Sequence, residues 1–375
     1  MRPFSCSVCG QLLFFHNSAC LRCESTLGYA PDHLVLDALV GLDGVDPVDP
    51  TTTRTFVADT LTGEYRQCVN ISLAACNWMV PIDDPEELCA SCRLTTVRPN
   101  DGEDDALAEF ADAEGQKRRL MHQLAVLGLS VVGKETDEDR GVAFEFLSSE
   151  NRKVITGHQG GVITLDLSES DDAHREFVRQ QLGEPYRTVL GHLRHEIGHY
   201  FWPLLVEDRG HLDEFRALFG DEQISYEDAK SQHYGDGEAE ADADGAAAWV
   251  DTHVSEYATM HPWEDWAETF AHYLHIQGGL ETADSFGLRI DDPVRAAAHE
   301  AYGADGDMSV GSIVESWLAL TLALNGMSRS IGQGDLYPFV LSRPVIEKMD
   351  FVHRMVQESA TDSPSAGAAP AAPAG

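Results

Sequence analysis

The chain has 375 residues, 43% of them hydrophobic, and carries 63 acidic against 26 basic side chains for a formal net charge of −37. This length admits more than one domain with a sizeable core, yet no uninterrupted apolar run reaches the ~18 residues of a membrane helix. Phosphate binding relies on clustered Lys and Arg, so a balance this acidic argues against nucleic acid as a direct ligand and reads as a solubility or high-salt feature.

In chain order, the first feature is a set of eight cysteines: CxxC pairs at Cys6/Cys9, Cys20/Cys23 and Cys89/Cys92, with Cys68 and Cys76 standing apart. A CxxC turn sets two thiolates about one zinc diameter apart, and two such turns complete a tetrahedron. Cys6, Cys9, Cys20 and Cys23 therefore form a zinc-ribbon pattern for a first structural zinc, with Phe14 and Phe15 between the knuckles as a small cap of core. Cys68, Cys76, Cys89 and Cys92 make a second four-thiolate site, although an interleaved pairing of the eight stays open. Disulfides need an oxidising compartment, and Cys6, Ser7, Cys9 and Gly10 interrupt any apolar signal segment. Reduced cysteines in a cytoplasmic chain are expected. Residues 1–98 read as the zinc-ribbon region, with β-prone stretches at Thr53–Ala58 and Tyr65–Ile71 between Gly, Pro and Asp.

The polar run from Arg98 to Asp105 marks a domain boundary. A long helical pattern follows, with Leu107, Phe110, Leu120, Leu124 and Leu127 toward the core. Lys117-Arg118-Arg119, the one compact basic run, falls on its outer face. Val142–Leu147, Val154–Thr156 and, after Gly160-Gly161, Val162–Leu167 are the expected strands. The next helix begins near Pro185, repeats Tyr186, Val189, Leu190, Leu193 and Ile197 at helical spacing, and stops soon after Trp202 at Pro203. It contains His195-Glu196-Ile197-Gly198-His199. Positions i and i+4 share a helix face, so the two imidazoles grip one ion together, and Glu196 is placed to take a proton from a water at that ion. Gly198 costs about 1 kcal/mol relative to Ala inside a helix; its smallness suits close packing of a neighbouring segment. His192 and His158 carry weaker signals.

A tetrahedral zinc held by two histidines needs a third protein ligand and a water. Residues 255–268 supply the candidates. Pro262 opens a helix with Trp263, Trp266, Phe270, Tyr273 and Leu274 in an apolar stripe, while Glu264, Glu268 and His272 share a face. Two carboxylates four apart repel by roughly 0.2–0.5 kcal/mol on a bare helix, a cost that a nearby cation reverses. Glu264 is assigned as the third ligand and Glu268 as the group that orients a ligating histidine; His261, Asp265 and Glu268 are rival ligands. Asp236–Gly245 reads as an acidic surface loop, residues 309–327 and 343–356 as core helices, and residues 359–375 as a disordered Ala/Pro-rich tail.

The pairing of HEIGH with Tyr257, Glu264 and Glu268 resembles gluzincin peptidases of the anthrax lethal factor type. There a tyrosine seven positions before the ligand glutamate helps to stabilise the oxyanion, and a second glutamate follows four later. The intervals 257 to 264 and 264 to 268 match. More closely, Tyr186-Arg187-Thr188, Gly191-His192, Arg194 with HEIGH, and the stretch His261–Ile276 are similar to the motifs of a bacterial zinc-binding metallopeptidase family with an N-terminal zinc-ribbon region. The likeness runs over most of the chain, to about residue 357. It implies a catalytic zinc, Tyr257 as oxyanion donor, and Val162–Leu167 as an edge strand that pairs with extended substrate.

The resulting expectation is an α+β chain: a zinc-ribbon region over 1–98, a mainly helical zincin-like metallopeptidase domain with a small sheet over 99–358, and a tail over 359–375. Its cofactors are one catalytic and one or two structural Zn2+. Its function is hydrolysis of peptide bonds with Glu196 as general base, on a peptide or protein substrate, with a protein partner recruited through the ribbon and no nucleic acid or membrane. The alternative of a different class is a metal-stabilised protein-binding adaptor with a vestigial hydrolytic site. Glu196 separates the two, because a structural zinc needs its ligands but not a base.

Overall fold

The computed structural model describes residues 2–41, 55–58, 60–61, 63–149, 154–182, 186–235, 248–290 and 309–362. They fall into two compact units, one drawn from residues 1–175 with 361–375 and the other from residues 176–360. The class is mixed α and β, with eight α-helices and three small sheets among the described residues.

The first unit opens on a two-stranded ribbon, β1 (Phe4–Ser5) and β2 (Leu12–Leu13). An antiparallel meander follows: β3 (Leu27–Ala30), β4 (Val35–Gly41), β5 (Thr55–Ala58), β6 (Glu64–Gln67) and β7 (Met79–Pro81). The strand expected to reach Ile71 ends at Gln67, because Cys68 turns into a cysteine cluster and Val69–Ile71 forms a 3-10 turn. Of the two phenylalanines expected as core, Phe15 is buried against Tyr29, with ring centroids 4.9 Å apart, and against His122 at 5.0 Å. Phe14, adjacent in the chain and directed the other way, is 49% exposed.

The second sheet has the order β10-β11-β9-β8, built from β8 (Thr95–Val97), β9 (Ala143–Leu147), β10 (Gly157–Gln159) and β11 (Val162–Asp166). Helix α1 (Asp104–Val126) connects β8 to its parallel neighbour β9. One sheet therefore takes strands from both sides of residue 98. Two sequence expectations are corrected here. Val154–Thr156 is not a strand; the strand is Gly157–Gln159, set by the reversal at Gly160 and Gly161, whose φ angles of 55° and 82° suit a tight hairpin. His158 Nε2 accepts from Gly161 N at 3.1 Å and belongs to this turn. Val162–Asp166 is not an edge strand either, since β10 and β9 occupy both of its sides.

A third correction concerns Lys117 and Arg118, which are buried rather than outward-facing. Lys117 Nζ donates to Glu114 Oε1 at 2.7 Å and also to Thr95 Oγ1, while Arg118 donates to the carbonyl of Ala74 at 3.0 Å. Glu114, one helical turn before this pair, supplies the counter-charge that makes burial tolerable. Burial itself pushes the Glu114 carboxyl up.

His122 on α1 accepts at Nδ1 from the Tyr29 hydroxyl, 2.6 Å away, and burial together with the Arg2 charge pushes it down to about 3. The imidazole stays neutral in the fold but protonates on unfolding near its ordinary 6.5. The stability it confers is thus full above about pH 6.5 and is lost as pH falls toward 3, at up to about 1.4 kcal/mol per pH unit. His122→Gln is expected to flatten the acid limb of the stability-versus-pH curve of the native chain. Zinc release in acid acts on both chains, so the difference between their denaturant midpoints isolates the imidazole.

The second unit is helical. Helix α2 (Asp172–Leu182) leads to α3 (Val189–Trp202), a π turn (Pro203–Glu207), α4 (Leu212–Phe219) and α5 (Tyr226–Gly235). Then come 3-10 turns at Ala248–Asp251 and Tyr257–Thr259, and helices α6 (Pro262–Ser285), α7 (Gly311–Ser330) and α8 (Arg343–Asp362). Helix α3 starts at Val189, later than Pro185 suggested, because the Thr188 side chain caps it by accepting from Gly191 N at 3.0 Å. Pro185, the Asp236–Gly245 loop and residues 363–375 lie outside the described residues, while α8 carries helix past residue 358 to Asp362. No helix among the described residues is long and apolar enough to cross a membrane.

Helices α3 and α6 cross at Gly198. A Cβ there would stand 3.1 Å from the Ala267 Cα, and Trp266 Nε1 donates to the Gly198 carbonyl at 2.9 Å. Phe201 stacks on Phe270 beside the crossing at 5.7 Å. Gly198→Val is expected to lower unfolding free energy by roughly 1–3 kcal/mol through overpacking, read as a fall in thermal midpoint. A chain that tolerates valine without loss would mean that the two helices are free to separate there.

Candidate functional site

Three clusters of metal-ligating side chains form among the described residues: Cys6, Cys9, Cys20 and Cys23; Cys68, Cys76, Cys89 and Cys92; and His195, His199 and Glu264. The first takes two thiols from each knuckle flanking β2, with Sγ separations of 3.7 Å for Cys6–Cys23 and 3.6 Å for Cys9–Cys20. In the second, Cys76 lies 3.7 Å from both Cys89 and Cys92, and all four residues are buried. No disulfide forms among the eight. These spacings match the edge of a tetrahedron of thiolates at ~2.3 Å from zinc, about 3.8 Å. Cys68 is held far below the ordinary thiol range by hydrogen bonds from Cys76, Cys89 and Cys92, and Cys23 is brought down to about 6 chiefly by Ser25. The second cluster abuts the buried charges of α1, with Cys92 Sγ 3.9 Å from Glu114 Oε2.

The third cluster lies on the crossed helices. His195 and His199 stand one turn apart on α3, with Nε2 atoms 3.2 Å from one another. Glu264, in the first turn of α6, sets Oε2 at 2.9 Å from His195 Nε2 and 3.3 Å from His199 Nε2. Its first-turn position is favoured by the positive end of the helix dipole. Glu268, one turn on, takes the other ring nitrogen of His195: Nδ1 donates to Oε1 at 2.7 Å. A carboxylate only accepts, so this contact fixes the His195 tautomer. His195 Nε2 then faces His199 Nε2 and the buried Glu264 Oε2. These three atoms stand at close to the roughly 3.3 Å spacing of N and O ligands around tetrahedral zinc. The donor set fits that ion, and a bound cation takes the place of the proton that the two carboxylates otherwise hold on His195.

Electrostatics follow the same geometry. Burial opposes charge on His195, but Glu264 and Glu268 overcome it and hold the imidazole well above its usual range. Glu264 is lowered far below the carboxylate range, the two histidines outweighing burial, and Glu268 is lowered to about 2 against burial by His195. Glu196 is raised by burial, despite the charges of His195 and His199 that act on it. His192 adds a smaller lowering influence on Glu196. Tyr257 is half-buried, with its ring 5.8 Å from that of His195.

The rivals of Glu264 have other partners. His261 caps α6, Nδ1 accepting from Trp263 N at 3.1 Å and Nε2 donating to the Ile224 carbonyl at 3.2 Å. Asp265 pairs with Lys348 of α8 at 2.5 Å, and His272 meets the Tyr337 hydroxyl at 2.8 Å. Two residues at the site escaped sequence reasoning. Ser255 donates to Glu268 Oε2 at 2.6 Å, and Tyr226 donates to Glu264 Oε1 at 2.8 Å. Ser255 lies two residues before Tyr257 and carried a proximity signal; Tyr226, 38 residues from Glu264, carried none.

A cysteine ribbon and a helical unit with a His/His/Glu cluster define a zinc-binding protein. The chain belongs to the family described as "Putative zinc-binding metallo-peptidase", whose model matches residues 106–355, and a zinc-ribbon domain model matches residues 3–103. Relatives in Mycobacterium bovis and in two strains of Mycobacterium tuberculosis, each named as an uncharacterized protein, are 47% identical over 363 residues, covering 96% of this chain and 97% of theirs. No solved structure matches the chain.

Proposed function

We propose that the chain is a gluzincin-type zinc peptidase acting on peptides or proteins, with residues 99–358 as the catalytic part and residues 1–98 as a ribbon that holds two structural zincs and recruits or orients a protein partner. The observation that carries the reading is the buried Glu196 on the same helical turn as His195 and His199, within electrostatic reach of all three ligands. A structural zinc needs no such carboxylate. Bound at His195, His199 and Glu264, zinc supplies Lewis acidity that polarises a carbonyl and acidifies water. Glu196 takes the proton of the attacking water and returns it to the departing amine. The Tyr257 hydroxyl donates to the oxyanion, a contact whose loss commonly costs ~10²–10³ in rate. Glu268, steadied by Ser255, keeps His195 in the tautomer that ligation requires. The eight free cysteines favour a cytoplasmic enzyme, and the acidic chain, with Lys117 and Arg118 buried, argues against nucleic acid as a ligand.

The test is a diverse peptide library incubated with the zinc-loaded chain and read by mass spectrometry, with Glu196→Gln as the blank. Cuts made by the native chain alone support the peptidase. An absence of cuts, with zinc confirmed at His195 and His199, overturns it in favour of the adaptor.

A further inference from the structure

Tyr226 opens α5, and its hydroxyl divides the two oxygens of Glu264. Oε1 accepts from the Tyr226 hydroxyl at 2.8 Å, while the buried Oε2 faces the two histidine nitrogens at 2.9 and 3.3 Å. The tyrosine is held for this contact from several sides. Its ring packs on His261 at 5.3 Å and on Trp263 at 6.4 Å, the residues that begin α6. The His261 ring ties the preceding backbone down by donating to the Ile224 carbonyl.

We infer that Tyr226 is a positioning residue that restricts Glu264 to one metal-facing oxygen. The inference rests on the reading of His195, His199 and Glu264 as a zinc site. A ligand carboxylate whose outer oxygen is pinned by a hydroxyl stays monodentate and correctly aimed. Without the hydroxyl, the carboxylate is released to turn both oxygens inward.

The test compares the native chain with Tyr226→Phe, which keeps the ring packing and removes only the hydroxyl. Zinc retention is measured in competition with chelators of graded strength. The cysteine-bound zinc of the same molecules is the internal reference, and thermal unfolding of the chain stripped only at the His/His/Glu site is the control for folding. The expected result is a zinc dissociation constant at the His/His/Glu site raised roughly 10–100-fold, with cysteine-bound zinc and the stripped chain's unfolding midpoint unchanged. With cobalt at that site, the visible band of Tyr226→Phe is expected to weaken as a second carboxylate oxygen joins the metal. Unchanged affinity with an unchanged cobalt spectrum overturns the inference. A loss of affinity matched by a lower unfolding midpoint overturns it too, since Tyr226 would then be a packing residue. The two readings fail separately. A native chain that cleaves nothing while Tyr226→Phe loosens its metal defeats the peptidase alone; an active peptidase whose metal ignores Tyr226→Phe defeats only the positioning role.

Discussion

Glu196→Gln is expected to retain zinc at His195, His199 and Glu264 while peptide-bond turnover falls by roughly 10²–10⁴, the range that a positioned general base contributes. The substitution preserves shape and leaves both histidines and their orienting Glu268 untouched, so metal content is the control for an intact site. What it removes, on the proposed mechanism, is the acceptor for the proton of the attacking water and the donor to the leaving amine. The amide also suits its surroundings, because burial already disfavours the Glu196 charge. Zinc content by mass spectrometry and turnover on one cleaved library peptide decide the matter together. Full zinc with native turnover would remove Glu196 from the mechanism.

Cys89→Ser is expected to remove one equivalent of zinc and unfold the sheet formed by β3 to β7. All four thiols of this quartet are buried, and Cys76 sits 3.7 Å from both Cys89 and Cys92. Three thiolates and a hydroxyl hold zinc poorly. A structural zinc contributes about 10–16 kcal/mol in small domains, comparable to the ~5–15 kcal/mol that stabilises a whole domain. Hydrogen exchange at Tyr29, Leu36 and Val80 should approach unprotected rates. Native protection in Cys89→Ser would show that the sheet stands without the metal.

Much of the site was legible because its geometry is local to two helices. His195 and His199 are four apart, as are Glu264 and Glu268, and helical periodicity turns those intervals into shared faces. The eight cysteines sort into two groups for a similar reason, each group lying close in sequence. The parts that escaped are the non-local ones. Tyr226 reaches Glu264 from a separate helix, with no spacing to announce it. Lys117 and Arg118 read as a solvated face because charge is normally exposed; their burial depends on Glu114 and on carbonyls of the Ala74–Ala75 turn, which no helical pattern reveals. The edge placement of Val162–Leu167 rested on the family resemblance alone, and the β10 partner that covers it is three residues long, too short to register as a strand before the Gly160-Gly161 turn is placed.

The helix crossing at Gly198 makes the three metal sites unequal in how they are loaded. The His/His/Glu donors sit on two α-helices packed through Gly198, with His195 braced by Glu268, so this socket is assembled by side-chain packing. The cysteine ligands sit on turns and 3-10 segments, where gathering four thiolates and shaping the backbone are a single event. On the proposed reading, zinc could therefore leave the socket and the socket remain, whereas a ribbon that gave up its ion would also give up its form. Supply of the metal would then govern the chain twice over: during synthesis it would decide whether the ribbon folds, and afterwards, reversibly, whether the folded molecule is switched on.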